Sequence, residues 1–335
     1  MFPIIRHIPL WAFLLLALPA CRFIDEDVAS CEKEFDLEYE MRLVTNMTTE
    51  LETKLNMETD VSVATSLIAY LGNVFTERAH DVDLSFYDVF GDSLRLHHER
   101  HIMDATQSSY TLNIPVRRYM HVGLANLEGN RTLVLENDER CHRSRLQQQV
   151  ADTLETQHKG VFTARLPMDI KEGVDQEFNV SLYMVNSATA LVLDTLDSHV
   201  KDIRVFATGF ATAFDVADSL YRFQYSPIIR ADQLDVKEDP RGQLCFATVN
   251  FPSRGPETKA EEELPVYWEY RVYSYLRDGT ITETKLAITH PLEPAQLDIL
   301  KAKVYANGAL EPGDVTVGVS VSLDWKPGME HEVII

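Results

Sequence analysis

The sequence predicts a mainly β chain built as two antiparallel β-sandwiches in tandem, with a few short helices. Three observations carry that expectation. Apolar and polar residues alternate with a period of two in several runs, the pattern of half-buried strands. Helical periodicity is scarce, whereas parallel strands need a helix at each crossover. The chain has 335 residues, 45% of them hydrophobic and 25% charged, which is a globular composition. That length suffices for about two ordinary domains.

From the N-terminus, Arg6 and His7 form a short basic start, and Ile8 to Leu18 is wholly apolar. Such a run is too short to cross a hydrocarbon core, which takes about 20 residues of helix. Residues 1–20 therefore read as a signal peptide. Leu18-Pro19-Ala20-Cys21 looks like a bacterial lipobox, in which a diacylglycerol is attached to the Cys21 thiol and Cys21 becomes the new N-terminus. Pro19 is unusual inside that motif. The alternative is an ordinary secreted chain in which Cys21 is one more thiol. On the lipobox reading, residues 21–34, with Asp25-Glu26-Asp27 and Glu32, form a lipidated, solvated tether.

The first strand follows directly: Phe35, Leu37, Tyr39, Met41 and Leu43 alternate with Asp36, Glu38, Glu40 and Arg42. The same rule marks strands at Val82–Phe86, Phe178–Met184 and Trp268–Val272. Asp278-Gly279 reads as the turn of a hairpin between 268–276 and 280–288. Val315 to Trp325 gives the cleanest alternation and a last strand. Ala64, Leu67, Ile68, Leu71 and Phe75 fit a helix. Leu146, Val150 and Leu154 suggest a second helix, and Pro294 to Lys303 a third, stopped around Asn307-Gly308. The polar stretch Arg143–Lys159 is the best boundary candidate. It divides the chain into an N-terminal sandwich at 35–155 and a C-terminal one at 156–335, with the change falling between about residues 143 and 165.

Charge and cysteine content narrow the function. With 31 basic and 52 acidic residues the formal net charge is −21, and removing residues 1–20 makes it one unit more negative. Such a field repels nucleic acid and anionic lipid headgroups. Membrane attachment would then come from acyl chains. One chain binds only marginally, at about 0.8 kcal/mol per buried methylene, while several hold firmly. After Cys21, the cysteines are Cys31, Cys141 and Cys245, so at least one thiol stays unpaired or pairs between chains. Cys245, within Leu244-Cys245-Phe246-Ala247, reads as a buried small hydrophobe.

No chemistry stands out. His97 and His101 lie four apart, but His98-Glu99 misses the H-E-x-x-H spacing by one residue, and the alternation before it splits the set across two strand faces. Exposed polar positions are the reading for these histidines. Cys141-His142 are adjacent and point apart on any regular element. Neither G-x-S-x-G nor a glycine-rich phosphate loop occurs. Tyr267, Tyr273 and Tyr275 could stack on a glycan, although aromatics in strands more commonly pack in cores or across strands. The expectation is a non-enzyme without catalytic residues, metal, cofactor or small-molecule substrate.

Several segments together carry a resemblance. They are Ser30-Cys31 before the first strand, Asp81–Asp88, Tyr110–Pro115, Tyr119–Asn126, Thr208-Gly209-Phe210-Ala211 and Val317–Gly328. Taken in order with the lipobox, the chain resembles the FimB-type fimbrial anchor lipoproteins, minor subunits of lipoprotein-derived fimbriae in Gram-negative gut and oral bacteria. The resemblance implies two tandem transthyretin-like sandwiches at the outer membrane, exposed at the cell surface. It also implies that the protein holds the base of a fimbria, limits its assembly, and has fimbrial stalk subunits as partners. Stalk relatives lose their first strand to a protease and join by strand insertion, whereas an anchor keeps its lipid and its first strand.

The chain ends in Val333, Ile334 and Ile335. These either add an edge strand to the second domain or insert into the groove of a stalk subunit. Rival readings are a stalk or tip subunit with an adhesive role, a surface glycan-binding lipoprotein, and a lipid-anchored hydrolase.

Overall fold

The computed structural model describes residues 34–43, 51–52, 55–56, 59–75, 79–102, 109–174, 176–194, 198–237, 241–253 and 265–312. The chain is mainly β and mostly antiparallel, as the alternation predicts. The first sheet has seven strands in the order β3 (Arg95–Ile102), β2 (Asp81–Asp88), β5 (Arg118–Ala125), β9 (Phe162–Asp169), β10 (Glu177–Met184), β1 (Glu34–Leu43) and β4 (Ser109–Pro115). The second sheet orders β16 (Asp232–Leu234), β17 (Leu244–Asn250), β11 (Ser187–Asp194), β20 (Leu297–Val304) and β21 (Leu310–Pro312). The third runs β19 (Ile281–Ile288), β18 (Trp268–Leu276), β12 (Val200–Thr208), β15 (Ile229–Arg230) and β8 (Leu154–Glu155). A small fourth sheet joins β14 (Leu220–Arg222), β13 (Ala213–Asp215), β7 (Arg145–Gln148) and β6 (Leu133–Glu136).

The second sheet is a shared middle layer. Along β11 the row Ala188, Ala190 and Val192 packs into one core, together with Cys245, Ala247 and Val249 of β17. That core also holds Val82, Leu84 and Phe86 of β2, Phe178 to Met184 of β10, and the helix α1 (Val61–Leu71) through Val63, Ala64, Leu67 and Leu71. The opposite row, Leu191 and Leu193 with Phe246, packs against Val205, Trp268, Tyr270 and Val272 of the third sheet. Small side chains on the α1 side let the layers approach closely. Burying one large apolar side chain stabilises by about 1.5–3 kcal/mol, so this continuous row ties the two halves together strongly. A third core, with Tyr87, Val122, Leu146, Phe214 and Phe251, lies under the fourth sheet.

Several expectations are corrected. The helix expected from Ala64 to Phe75 forms as α1, but it stops at Leu71, and Phe75 lies in the turn beyond Gly72. The one suggested by Leu146, Val150 and Leu154 does not: Leu146 is in β7, Leu154 is in β8, and Val150 between them is exposed. Pro294–Lys303 is also not helical. Leu297–Val304 is β20, buried on both faces over its first half, and a two-sided buried strand shows no period of two. Asn307-Gly308, read as a helix stop, is instead a hairpin turn between β20 and β21, with Gly308 at φ +80°. The strand expected at 315–325 lies outside the described residues.

β9 and β10 complete the first sheet, while β8, just before them in the chain, joins the third. Thr156 and Gln157, between β8 and β9, are polar in sequence but buried. Thr156 Oγ1 accepts from the Val249 amide at 2.5 Å, and the Gln157 amide donates to the Val249 carbonyl at 2.9 Å. A Cβ at Gly160 would lie 1.9 Å from the Val74 carbonyl oxygen, so only glycine fits there.

Candidate functional site

The residues on which the sequence reading placed function, Cys21 and Val333, Ile334 and Ile335, lie outside the described residues. What the fold shows is where their neighbours sit. β1 starts at Glu34, where the expected tether ends, and it is an interior strand. It pairs antiparallel with β4, from Glu34 opposite Pro115 to Glu40 opposite Ser109, and parallel with β10, from Glu38 opposite Glu177 to Leu43 opposite Leu182. At the other end of the described chain, β21 is the edge of the second sheet.

The histidine cluster falls on β3, an edge strand, and alternation does split it. His97 and His101 share one face with Glu99, whose two oxygens lie 2.7 Å and 2.9 Å from their Nε2 atoms. His97 also packs against Phe86, with ring centroids 5.7 Å apart. On the other face, His98 Nε2 lies 2.9 Å and Arg100 Nε 2.8 Å from Asp83 Oδ2. All three histidines are half-buried, not exposed as expected: His97 packs on Phe86, His101 pairs with Glu99 beside it, and His98 pairs with the buried Asp83 on the opposite face. Among the described residues no group of three or more His, Cys, Asp or Glu side chains is placed to hold a metal ion.

Sequence reading missed two buried polar centres. His121 on β5 is fully buried, stacked on Phe86 with ring centroids 4.5 Å apart, and its Nδ1 donates to the Ser85 carbonyl at 3.1 Å. Burial pushes its pKa down to about 4, so the ring is neutral. A lone histidine inside Tyr119–Ala125 was the available signal.

The second centre fills one end of the sandwich between the second and third sheets. Tyr270 donates to Thr189 Oγ1 at 2.6 Å, Thr189 and Thr248 hydroxyls lie 2.6 Å apart, and Thr248 donates to Asn250 Oδ1 at 2.8 Å. Nearby, Asp298 is wholly buried and accepts from His290 Nε2 at 3.0 Å and Gln296 Nε2 at 3.1 Å. Burial raises the pKa of Asp298 while His290 opposes the rise, and the hydrogen bond to Asp298 raises that of His290.

The outer face of the third sheet carries aromatic rings among charges. Phe206 packs edge-on to Tyr273 at 5.8 Å, and Arg204 lies 4.9 Å above the Tyr275 ring. Tyr273 donates to Glu283 at 3.1 Å, and Arg271 to Glu269 at 2.6 Å. Tyr267, grouped with them in the sequence reading, packs instead against the core beneath. Cys141 and Cys245 are free, buried thiols. Burial raises both, Cys245 to about 12, which keeps it protonated and unreactive. Among the described residues no helix is long and apolar enough to cross a membrane.

No family model and no curated protein matches the chain. Solved structures do. A candidate adhesin of Bacteroides thetaiotaomicron matches with 12% identity and a TM-score of 0.51, covering 84% of this chain and 97% of its own. A candidate adhesin of Bacteroides ovatus matches with 13% identity and a TM-score of 0.50, covering 89% and 97%. The fimbrial anchor protein of Porphyromonas gingivalis is 9% identical with a TM-score of 0.47, covering 81% and 91%. Over most of its length, the chain has the fold of the Bacteroides candidate adhesins.

Proposed function

We propose that this chain is a lipid-anchored subunit that holds the base of a fimbria at the bacterial outer membrane, exposed at the cell surface, with fimbrial stalk subunits as its partners. The observation that carries the reading is the pairing of Leu18-Pro19-Ala20-Cys21 with a first strand held inside the sheet. A lipid on Cys21 would then be joined by a short tether to a strand bonded on both sides. The adhesin-like fold and the resemblance to fimbrial anchor lipoproteins support it. In this reading Val333–Ile335 contact the next subunit.

Replacing Cys21→Ser tests the anchor. The protein should lose lipid labelling and leave the outer-membrane fraction, taking fimbriae with it. Quantitative membrane retention of the variant would sink the reading. Crosslinking followed by mass spectrometry should recover stalk subunits. A second reading, glycan binding, is favoured by the Phe206–Tyr273–Tyr275 face, since aromatic rings beside paired Arg and Glu suit stacking on a sugar. Tyr273→Ala should then abolish retention on a polysaccharide affinity column without lowering the melting temperature.

A further inference from the structure

We propose that the two long parallel strand pairs, β1 with β10 and β11 with β20, are shear clamps arranged in series between the N-terminal tether and the C-terminal end. The biological use of this device rests on the anchor reading, but its mechanics do not. Among the described residues these are the only parallel pairings longer than two residues. Both lie on the covalent path from tether to C-terminus.

A pull on the tether reaches β1 at Glu34. The opposing pull leaves β10 at Met184, because Val185 and Asn186 lead straight into β11 at Ser187. In a parallel pair those are opposite ends, so force runs along the strands and loads the ladder from Glu38–Glu177 to Leu43–Leu182 all at once. β4 holds the other side of β1. The geometry repeats in the second sheet. Load enters β11 at Ser187 and leaves β20 at Val304, across a ladder from Ala188–Leu297 to Asp194–Lys303.

The joint between the clamps is pinned. Asn186 accepts from the Ala295 amide at 2.7 Å through its carbonyl, and from the Val161 amide at 2.6 Å through its side chain. An antiparallel neighbour loaded at its free end behaves differently, since it unzips one pair at a time. β21, with three paired residues, is such an element and should peel first.

Single-molecule force spectroscopy on the Cys21→Ser chain tests this. One geometry pulls between handles ahead of Glu34 and after Ile335. The other pulls between the N-terminal handle and a thiol at Val116→Cys, in a Cys31→Ser background. Val116 lies next to Pro115, which pairs with Glu34, so this geometry unzips β1 from β4. The end-to-end geometry should show a small early extension from β21, then a peak force several-fold above that of the second geometry. Equal forces, with unchanged melting temperature in the thiol variant, would overturn the clamps. Membrane fractionation of the Cys21→Ser protein fails or succeeds independently, so a wrong anchor reading and a wrong clamp reading give different results.

Discussion

The core under the first sheet and the core between the second and third sheets differ in how they treat polar groups. The first is almost wholly apolar and admits one imidazole, His121, which it holds neutral against Phe86. The second gives up one end to a connected chain of hydroxyls and to the His290–Asp298 pair. The difference teaches that burial acts in opposite senses on the two histidines. Desolvation lowers His121, whereas a buried carboxylate raises His290. The two regions should therefore respond to pH with opposite sign.

Breaking the first core should have the largest effect. Phe86→Ala removes a fully buried ring and the stacking partner of His121, and should cost about 3–5 kcal/mol in chemical denaturation at neutral pH. It should also raise the His121 pKa by admitting water, which histidine NMR titration would show. An unshifted His121 in a destabilised variant would mean that neighbours other than Phe86 keep the site dry.

The next effect comes from the protons. His121 has a folded pKa of about 4 against 6.5 for the free group, so below pH 6.5 the unfolded state binds the proton and the folded state does not. Stability contributed by the neutral ring is complete above pH 6.5 and is lost as pH falls toward 4, by about 3 kcal/mol in all. His121→Phe should flatten the stability profile over that window. A profile as steep as that of the unsubstituted protein would assign the acid loss to carboxylates instead.

In the second core both shifts are upward, so the folded state binds protons more tightly. The His290 contribution is complete below pH 6.5 and is lost as pH rises through its raised folded value. Asp298 adds a loss in the same direction at lower pH, above its ordinary carboxylate value. Asp298→Asn removes the carboxylate from both centres of this response. The variant should lose about 1–3 kcal/mol from weakened hydrogen bonds to His290 and Gln296, and its stability should fall less on going from pH 6 to pH 8. Equilibrium unfolding at the two pH values measures this, and an unchanged fall would exclude the pair as its source.

The same contrast explains what was legible in the sequence. Strands with one solvated face, such as Phe178–Met184 and Trp268–Leu276, were readable because period-two alternation records a half-buried surface. The middle layer was not. Ala188–Leu193 and Leu297–Val304 are buried on both faces for much of their length, so they show no alternation, and Leu297–Val304 passed for a helix. Within the polar stretch Arg143–Lys159, two residues show the converse case. Thr156 and Gln157 are polar, yet their polarity is used internally on Val249. His290 and Asp298 lie eight residues apart, on a loop and a strand, and no local spacing announces them. Of the residues proposed for function, Cys21 was legible as a motif, and it lies outside the described part of the fold.

The smallest effect separates the two faces of β3 at the edge of the first sheet. His97 and His101 both pair with Glu99, and all three side chains are about a quarter exposed, so double replacement by Gln should cost under about 1 kcal/mol. His98 is different, because its partner Asp83 has a side chain only 9% exposed. Arg100 remains on that carboxylate, but its own side chain is largely in water, so it compensates in part. His98→Gln alone should therefore cost at least as much as the double replacement, on the order of 1 kcal/mol. Comparing melting temperatures of the two variants decides it. If the double replacement costs more, the His97 ring on Phe86 is a sealing part of the dry core, and the boundary of that core must be drawn to include the edge strand.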